Sequence, residues 1–406
     1  MKAILGTILD GDLKDMAIRG ARGPLGPAYD FGLTWEQLSR HLVIIGGTGT
    51  GKTVTQLRLA SSIMGMANCG ELPIRILFLD AKGLPEGHNS DKRAFLTLAE
   101  NHDYHRVYSW PDIPLKGFEG TVGQVRERLS GLFDSAESAY HHAESVAMLD
   151  LALRVSNPPR SLDELIKRVR PGVTANLYET QGTIEGLERK AEAAGFTNAQ
   201  WNALYLRLRA LQATVGTTLD SRPLAWEIQD VDAAWLSIPG TSSPQTAADV
   251  SSWLLALIAE LAVYGDGRRT VVFLDEFSAI GQDLRASRAA ASLIERTRAA
   301  NVALVIGSQT VASLGESAER LLQTAGTILC HRTPLPDDLV ALAGTVSAWE
   351  DTQEVDSLGI RRANSGRLQQ QFRVNPDLVR QLPVGECVAI HSGRWAHIAV
   401  AEPNRN

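Results

Sequence analysis

Eight residues near the beginning of the chain have the types and the spacing of a phosphate-binding loop. They fit the pattern G-x-x-x-x-G-K-[ST] at every defined position and read Gly46-Gly47-Thr48-Gly49-Thr50-Gly51-Lys52-Thr53. An apolar, strand-like run (42–45) precedes this phosphate loop and a helix-like run (54–66) follows it, which is the context that the pattern requires. Glycines let backbone N–H groups point inward at phosphate oxygens, and the helix N-terminus adds partial positive charge. We expect Lys52 to reach the β- and γ-phosphates and the Thr53 hydroxyl to help hold Mg²⁺, so the pattern predicts a bound nucleoside triphosphate.

Two adjacent carboxylates, Asp275 and Glu276, follow a run of four apolar residues (271–274). A strand that is buried in a parallel sheet has such a continuous apolar run, and ligands of open α/β sheets bind at the carboxyl ends of the strands. We therefore expect Asp275 to lie beside the phosphate loop and to orient Mg²⁺ through a water molecule. Glu276 is then placed to polarise the attacking water as a general base, which favours ATP hydrolysis over simple nucleotide binding.

Further polar side chains are expected near the same edge of the sheet. Gln309 follows the next apolar run (302–307), where its amide can sense the γ-phosphate, or else can cap a helix or face solvent. Arg298 lies just before that run, on an arginine-rich helix. Such an arginine can stabilise the charge on the γ-phosphate of a nucleotide bound to a neighbouring subunit. The ordinary interpretation of these arginines is that they lie on a solvated helix face. Asp80 and Lys82 lie where an earlier predicted strand ends. They could contact the nucleotide or a neighbouring subunit, or they could form an ordinary turn, and the sequence is equally compatible with both interpretations.

Composition excludes several broad classes of protein. The 406 residues are too many for a single compact core, and the net charge of −6 argues against a surface coated for non-specific nucleic-acid binding. The three cysteines are scattered without zinc or disulfide spacing, as in a reducing cytosol. We find neither a secretory signal nor an apolar run of about 18 residues, and the nearest candidate, residues 253–264, is interrupted by Glu260.

The alternation of strand-like and helix-like segments predicts an α/β protein with a helical insertion. Strand and helix patterns alternate before residue 120 and again after residue 220, which indicates a mostly parallel sheet. Between these positions we find helical spacing with few β-branched runs. Residues 151–215 carry nine basic and six acidic side chains. This mild excess is compatible with phosphate contacts and equally with a solvated helical face.

In this order, the motifs resemble the FtsK–HerA superfamily, and within it the coupling-protein ATPases of conjugation and type IV secretion. The resemblance rests on the phosphate loop and four later segments, 78–83, 273–281, 307–309 and 374–386. It implies a RecA-like P-loop NTPase motor domain (1–119 and 221–406) with an all-α domain (120–220) inserted between the Walker A and Walker B motifs. It also implies ATP with Mg²⁺, a hexameric ring, and movement of DNA through its channel. The family's trans-acting arginine lies about eleven residues before the glutamine, which corresponds to Arg298.

The sequence departs from this family in two places. Coupling proteins usually begin with transmembrane helices, and none is apparent here. Their Asp-Pro-Lys-Gly turn is replaced by an alanine-containing one at 80–83. We therefore expect a cytoplasmic protein that reaches the inner face of the membrane only through a partner or through an anchor missing from this chain.

The function that these expectations favour is DNA translocation, with secretion or relaxosome proteins as partners. The alternative is an ATP-dependent recruitment receptor for protein substrates of a secretion system. A monomeric P-loop kinase or GTPase is disfavoured, because no Asn-Lys-x-Asp motif is present and the pair Asp275-Glu276 suits activation of water.

Overall fold

The structure is a computed structural model. It describes residues 2–13, 17–23, 26–67, 73–82, 89–130, 139–238, 244–281, 284–297, 300–352 and 365–403.

The described residues form fourteen strands. In chain order these are β1 Lys2–Gly11, β2 Ala17–Gly23, β3 Gly26–Thr34, β4 Leu42–Ile45, β5 Arg75–Asp80, β6 Val107–Trp110, β7 Ala233–Ser237, β8 Thr270–Asp275, β9 Val302–Ser308, β10 Thr327–Cys330, β11 Thr345–Thr352, β12 Ser365–Phe372, β13 Glu386–His391 and β14 Arg394–Val400.

The same residues form fifteen α-helices. They are α1 Trp35–Leu38, α2 Lys52–Met64, α3 Ser90–Asn101, α4 Val122–Ser130, α5 Ala139–Arg154, α6 Leu162–Arg168, α7 Val173–Glu179, α8 Ile184–Gly195, α9 Asn198–Val215, α10 Pro244–Tyr264, α11 Ser278–Gly281, α12 Leu284–Thr297, α13 Ala318–Thr324, α14 Asp337–Ala341 and α15 Pro376–Gln381.

The chain divides into two compact units, and the division falls inside α2. The first, here called the P-loop unit, comprises Met1–Ser62 and Ala325–Asn406. Its main sheet has the strand order β2-β3-β1-β14-β13-β10-β4. β10 and β4 pair in parallel, whereas the other neighbours pair antiparallel. Strands β13 and β14 form an antiparallel hairpin, and its two turn residues, Ser392 and Gly393, both have positive φ, as a tight hairpin turn requires.

The second unit, here called the carboxylate unit, comprises Ile63–Thr324. Its strands lie in the order β9-β8-β5-β7-β6 and are all parallel, which confirms the predicted α/β architecture. Residues in register on three neighbouring strands stack their rings, with centroids 4.4 Å apart for Phe78 and Trp235 and 5.4 Å apart for Phe78 and Phe273. Because this apolar layer fixes the register, Asp80 and Asp275 lie side by side at the carboxyl edge.

Helices α4 to α9 occupy the described residues between Val122 and Val215. Helix α6 buries Leu162, Leu165 and Ile166. Helix α9 buries Leu204, Leu208 and Leu211, while Leu206 lies on its exposed face. The buried guanidinium of Arg128 on α4 pairs with Glu260 on α10 at 2.9 Å. These helices belong to the same compact unit as the parallel sheet, so the boundaries of an inserted domain at 120 and 220 stay a prediction.

Helix α10 is the longest helix of the described residues. Its segment Ala247–Tyr264 is long and apolar enough to cross a membrane by length and composition, with a mean hydropathy of 1.5. However, 56% of this segment is buried within the fold, as is also common for a core helix, so the segment is weak evidence for a membrane span.

Candidate functional site

The phosphate loop connects β4 to α2 within the P-loop unit, and its glycines are required by its shape. Gly49 and Gly51 have φ of 73° and 105°, a region that side chains other than glycine rarely adopt. At Gly46, an added Cβ atom would lie only 2.5 Å from the Cβ atom of His331. The loop therefore packs directly on the residue that follows β10, and substitution of any of these three glycines would distort it.

Hydrogen bonds within the loop hold its polar side chains inward. The Thr50 hydroxyl and the Lys52 ammonium both donate to the carbonyl of Gly47, at 2.8 Å and 3.1 Å. Lys52 is only 5% exposed, and Thr53 follows it in the first turn of α2. A helix that begins at Lys52 leaves its first N–H groups at the loop, which is the arrangement that binds anions.

The histidine that follows β10 packs against this loop. His331 is fully buried, and its Nδ1–H donates to the carbonyl of Glu386 at 2.8 Å. Because a carbonyl only accepts, Nε2 carries no proton and accepts from the Thr55 hydroxyl at 2.9 Å. Burial, together with the nearby charge of Lys52, lowers the pKa of His331 to about 4. The residue is a neutral link between α2 and β13, and no spacing in the sequence signals it.

The predicted catalytic carboxylate lies at the end of β8, in the carboxylate unit. Glu276 has φ of 51°, an uncommon conformation for a residue that is not glycine and one that costs about 1 kcal/mol or more. The turn is held by the N–H of Phe277, which donates to the carbonyl of Gly307 on β9 at 2.8 Å. The Gln309 side-chain amide donates to Glu276 Oε2 at 3.0 Å. The structure thus brings Glu276 and Gln309 together, as expected from parallel strands that end at one edge.

The neighbouring carboxylate, Asp275, is 1% exposed and pairs with a lysine. Lys82 Nζ lies 2.9 Å from Asp275 Oδ2 and 3.1 Å from Asp91 Oδ2. Although burial disfavours the charged ammonium, the two carboxylates outweigh it and raise the pKa of Lys82 well above its ordinary value. Asp80 instead anchors the turn, since its carboxylate accepts from the Lys82 N–H at 3.0 Å and from the Asn89 amide at 2.8 Å. Burial raises the pKa of Asp80.

Three of the expected features cannot be located in the described structure. Arg298 lies outside the described residues, as does Gly83 of the turn after β5. The expected position of Asp275 beside the phosphate loop concerns both units and stays a prediction. Within the described part of the chain, no group of three or more His, Cys, Asp or Glu side chains could hold a metal ion. A metal held by one hydroxyl, phosphate oxygens and water would not need such a group.

Solved structures share this fold, although no family model and no curated protein matches the sequence. One is the bacterial conjugative coupling protein TrwBdeltaN70 in its unbound form, with a TM-score of 0.64 and 14% identity over 99% of this chain and 96% of that one. The chain has the fold of the conjugative coupling proteins. A second structure with this fold is VirB4 of Thermoanaerobacter pseudethanolicus, with a TM-score of 0.60 and 14% identity over 97% of this chain and 98% of that one.

The coupling-protein fold has also been solved with ligands bound. Plasmid coupling protein TrwB in complex with ADP and Mg²⁺ aligns with a TM-score of 0.61 and 15% identity, over 98% of this chain and 95% of that one. The α/β P-loop NTPase fold expected from the motifs is therefore confirmed, whereas the inserted all-α domain stays a prediction. At this level of identity, the likeness defines the architecture.

Proposed function

We propose that this chain is an ATPase that moves DNA through a hexameric ring, in conjugative transfer or type IV secretion. The observation that carries the proposal is the hydrogen bond from Gln309 to Glu276 at the carboxyl edge of a coupling-protein fold. It joins a carboxylate able to accept a proton to an amide able to contact a phosphate. A protein that only bound nucleotide would not need this pair.

The residues of the phosphate loop fit a triphosphate with Mg²⁺. The loop leaves no room for a Cβ atom at Gly46, and its backbone is left-handed at Gly49 and Gly51. In the proposal the ammonium of Lys52 holds the β- and γ-phosphates, and the hydroxyl of Thr53 and, through water, Asp275 hold the metal. Bound Mg²⁺ supplies positive charge that stabilises the phosphoryl group during transfer. Complexes of TrwB with ADP and Mg²⁺ and with a non-hydrolysable ATP analogue support these ligands.

In the proposed hydrolysis, Glu276 accepts a proton from the attacking water while the water oxygen bonds to the γ-phosphorus. The bond from the γ-phosphorus to the bridging oxygen breaks, and ADP and phosphate leave. Gln309 holds Glu276 in position and contacts the γ-phosphate, and Arg298 of a neighbouring subunit stabilises the developing charge. A site completed by a neighbour requires a ring, which is why we propose a homo-oligomer, as the motif order also implies.

We further propose that residues 120–220 form an inserted helical domain on the substrate side of the motor. The basic residues of these helices are not the evidence on which DNA is proposed as the cargo. Arg154, Lys167, Arg189 and Lys190 all form ion pairs with acidic side chains of the same helical region, as expected of a solvated face. DNA is proposed as the cargo from the motif order and the shared fold, with secretion or relaxosome proteins as partners.

The first test replaces Glu276 with glutamine. The Glu276→Gln variant should bind ATP like the wild type and lose roughly 10²- to 10⁴-fold in turnover, because the amide cannot accept the proton. Glu319→Gln, at an exposed acid of the same unit, is the matched control and should retain full turnover. Turnover of Glu276→Gln near the wild-type rate would show the general base to be another group.

A second measurement separates the two candidate functions. Steady-state ATP hydrolysis is compared with and without single- and double-stranded DNA. Several-fold stimulation is expected of a DNA motor. A rate that DNA leaves unchanged, in a protein that hydrolyses ATP, would favour the recruitment receptor for protein substrates.

The trans role of Arg298 can be tested by mixing subunits. Arg298→Ala alone and Lys52→Ala alone should both be inactive, because one lacks the arginine and the other the phosphate-binding lysine. Mixed rings should regain part of the activity, since a Lys52→Ala subunit presents its arginine to an intact phosphate loop. If both variants assemble normally and the mixture stays inactive, Arg298 does not act across the interface.

A further inference from the structure

Lys82, in the turn that follows β5, is built into the carboxylate unit rather than directed to solvent. The Lys82 side chain is 22% exposed, and its ammonium lies 2.9 Å from Oδ2 of Asp275, whose side chain is 1% exposed. The same ammonium lies 3.1 Å from Oδ2 of Asp91, which is 33% exposed. One cation is thus shared between a buried carboxylate and a more accessible one.

The backbone around Lys82 fixes the direction of its side chain. Asp80 accepts from the Lys82 N–H at 3.0 Å and from the Asn89 amide at 2.8 Å. Asn89 in turn caps α3 by accepting from the Lys92 N–H at 2.9 Å. The Ala81 N–H approaches the carbonyl of Asp275 at 3.4 Å. The turn is therefore anchored both to α3 and to β8, so its lysine is held against Asp275 by more than the ion pair alone.

A carboxylate as buried as Asp275 requires a compensating positive charge. Lys82 supplies this charge from within the same unit. A divalent metal that approached Oδ2 would have to displace the ammonium or lie within a few ångströms of it, and two cations at that distance repel strongly in a partly buried site. The charge that makes Asp275 a good metal carboxylate is thus already balanced by the protein.

We propose that Lys82 is the internal counter-cation of Asp275 and prevents this carboxylate from capturing a divalent metal before nucleotide binds. Mg²⁺ then enters together with the triphosphate, whose negative charge outweighs that of one lysine. This inference rests on the proposed role of Asp275 in holding the metal. Lys82 acts through Asp275 and is a positioning residue, not a catalytic one.

The test is a titration of the nucleotide-free protein with Mn²⁺, followed by electron paramagnetic resonance of the unbound ion. Lys82→Met and Lys82→Gln both remove the charge, and glutamine retains a donor for Asp275. Each should bind Mn²⁺ roughly tenfold or more tightly than the wild type. The gain should disappear in Lys82→Met/Asp275→Asn, and Lys82→Arg, which keeps the cation, should behave like the wild type.

Lys116→Met is the matched control. Lys116 is 24% exposed and pairs with Glu227 at 2.8 Å, so this variant also removes one similarly exposed, ion-paired lysine from the same unit. It should leave Mn²⁺ binding unchanged. A folded Lys82→Gln with wild-type Mn²⁺ affinity would overturn the proposal, and so would a gain that survives Asp275→Asn. Because the readout uses neither nucleotide nor turnover, an inactive wild-type protein would count against the proposed function alone.

Discussion

His331 should make the stability of the protein depend on pH between about 4 and 6.5. The side chain is fully buried, donates from Nδ1 to the Glu386 carbonyl and accepts at Nε2 from the Thr55 hydroxyl. Protonation of Nε2 would place a second donor against that hydroxyl and a positive charge near Lys52. Burial is the main reason why the pKa falls from its ordinary value of 6.5 to about 4.

Whether this histidine raises or lowers the free energy of unfolding at a given pH depends on which state, folded or unfolded, binds more protons. Below about pH 6.5 the unfolded chain takes up a proton on this histidine, whereas the folded chain does so only near pH 4. The unfolded state therefore binds more protons in this range, and the free energy of unfolding decreases as the pH falls. At about pH 5 the loss from this one residue amounts to about 2 kcal/mol.

The perturbation that isolates this contribution is His331→Asn. An asparagine amide can still donate to the Glu386 carbonyl but does not titrate. Loss of the Thr55 contact should cost about 1–3 kcal/mol at every pH. Urea unfolding at about pH 7.5 and about pH 5 should show a deficit that shrinks by about 2 kcal/mol at the lower pH. His141→Asn replaces an exposed histidine and should have the same unfolding free energy as the wild type at both pH values.

One result would refute this reasoning. If the difference in unfolding free energy between the wild type and His331→Asn is the same at both pH values, His331 is not held neutral in the folded protein.

Three further substitutions test the packing of the phosphate loop and a buried ion pair. Gly46→Ala should lower both stability, by roughly 1–3 kcal/mol, and the affinity for a fluorescent ATP analogue, because its Cβ atom would lie 2.5 Å from that of His331. In Gly47→Ala the nearest atom would be 3.5 Å away, so stability measured by urea unfolding should change little. Burial raises the pKa of Glu260 to about 7 despite its pairing with Arg128. The folded state therefore holds this proton to a higher pH than the unfolded state, so the contribution of Glu260 to stability should fall as the pH rises from 4.5 toward 7, opposite in sign to that of His331. The free energy of unfolding of the wild type, measured relative to Glu260→Gln, should decrease over this range.

Local patterns were enough to predict the elements that carry the candidate site. The phosphate loop was found between a strand and a helix because glycine spacing and apolar periodicity are both short-range signals. The helix begins at Lys52, two residues before the predicted run. The proximity of Glu276 and Gln309 followed from a general rule, since parallel strands present their carboxyl ends at one edge.

The contacts between distant segments could not be predicted in the same way. Lys82 and Asp275 meet because β5 and β8 are neighbours in the sheet, and nothing in either sequence segment indicates that register. His331 is an isolated histidine after a strand, and its role depends on the hairpin β13–β14 folding against β10. Strand β1 pairs with β14 from the opposite end of the chain, and no local pattern predicts such a pairing.

Three charged groups that the proposed function assigns to the nucleotide site have hydrogen-bond or ion-pair partners already. Lys52 donates to a loop carbonyl, Glu276 accepts from Gln309, and Asp275 pairs with Lys82. Each of these groups already has a partner within its own unit, so a bound triphosphate would exchange partners rather than satisfy empty ones, and the net gain per contact is small. In the proposed reaction, the rate would then depend on charge that develops during phosphoryl transfer, where an arginine and Mg²⁺ contribute most.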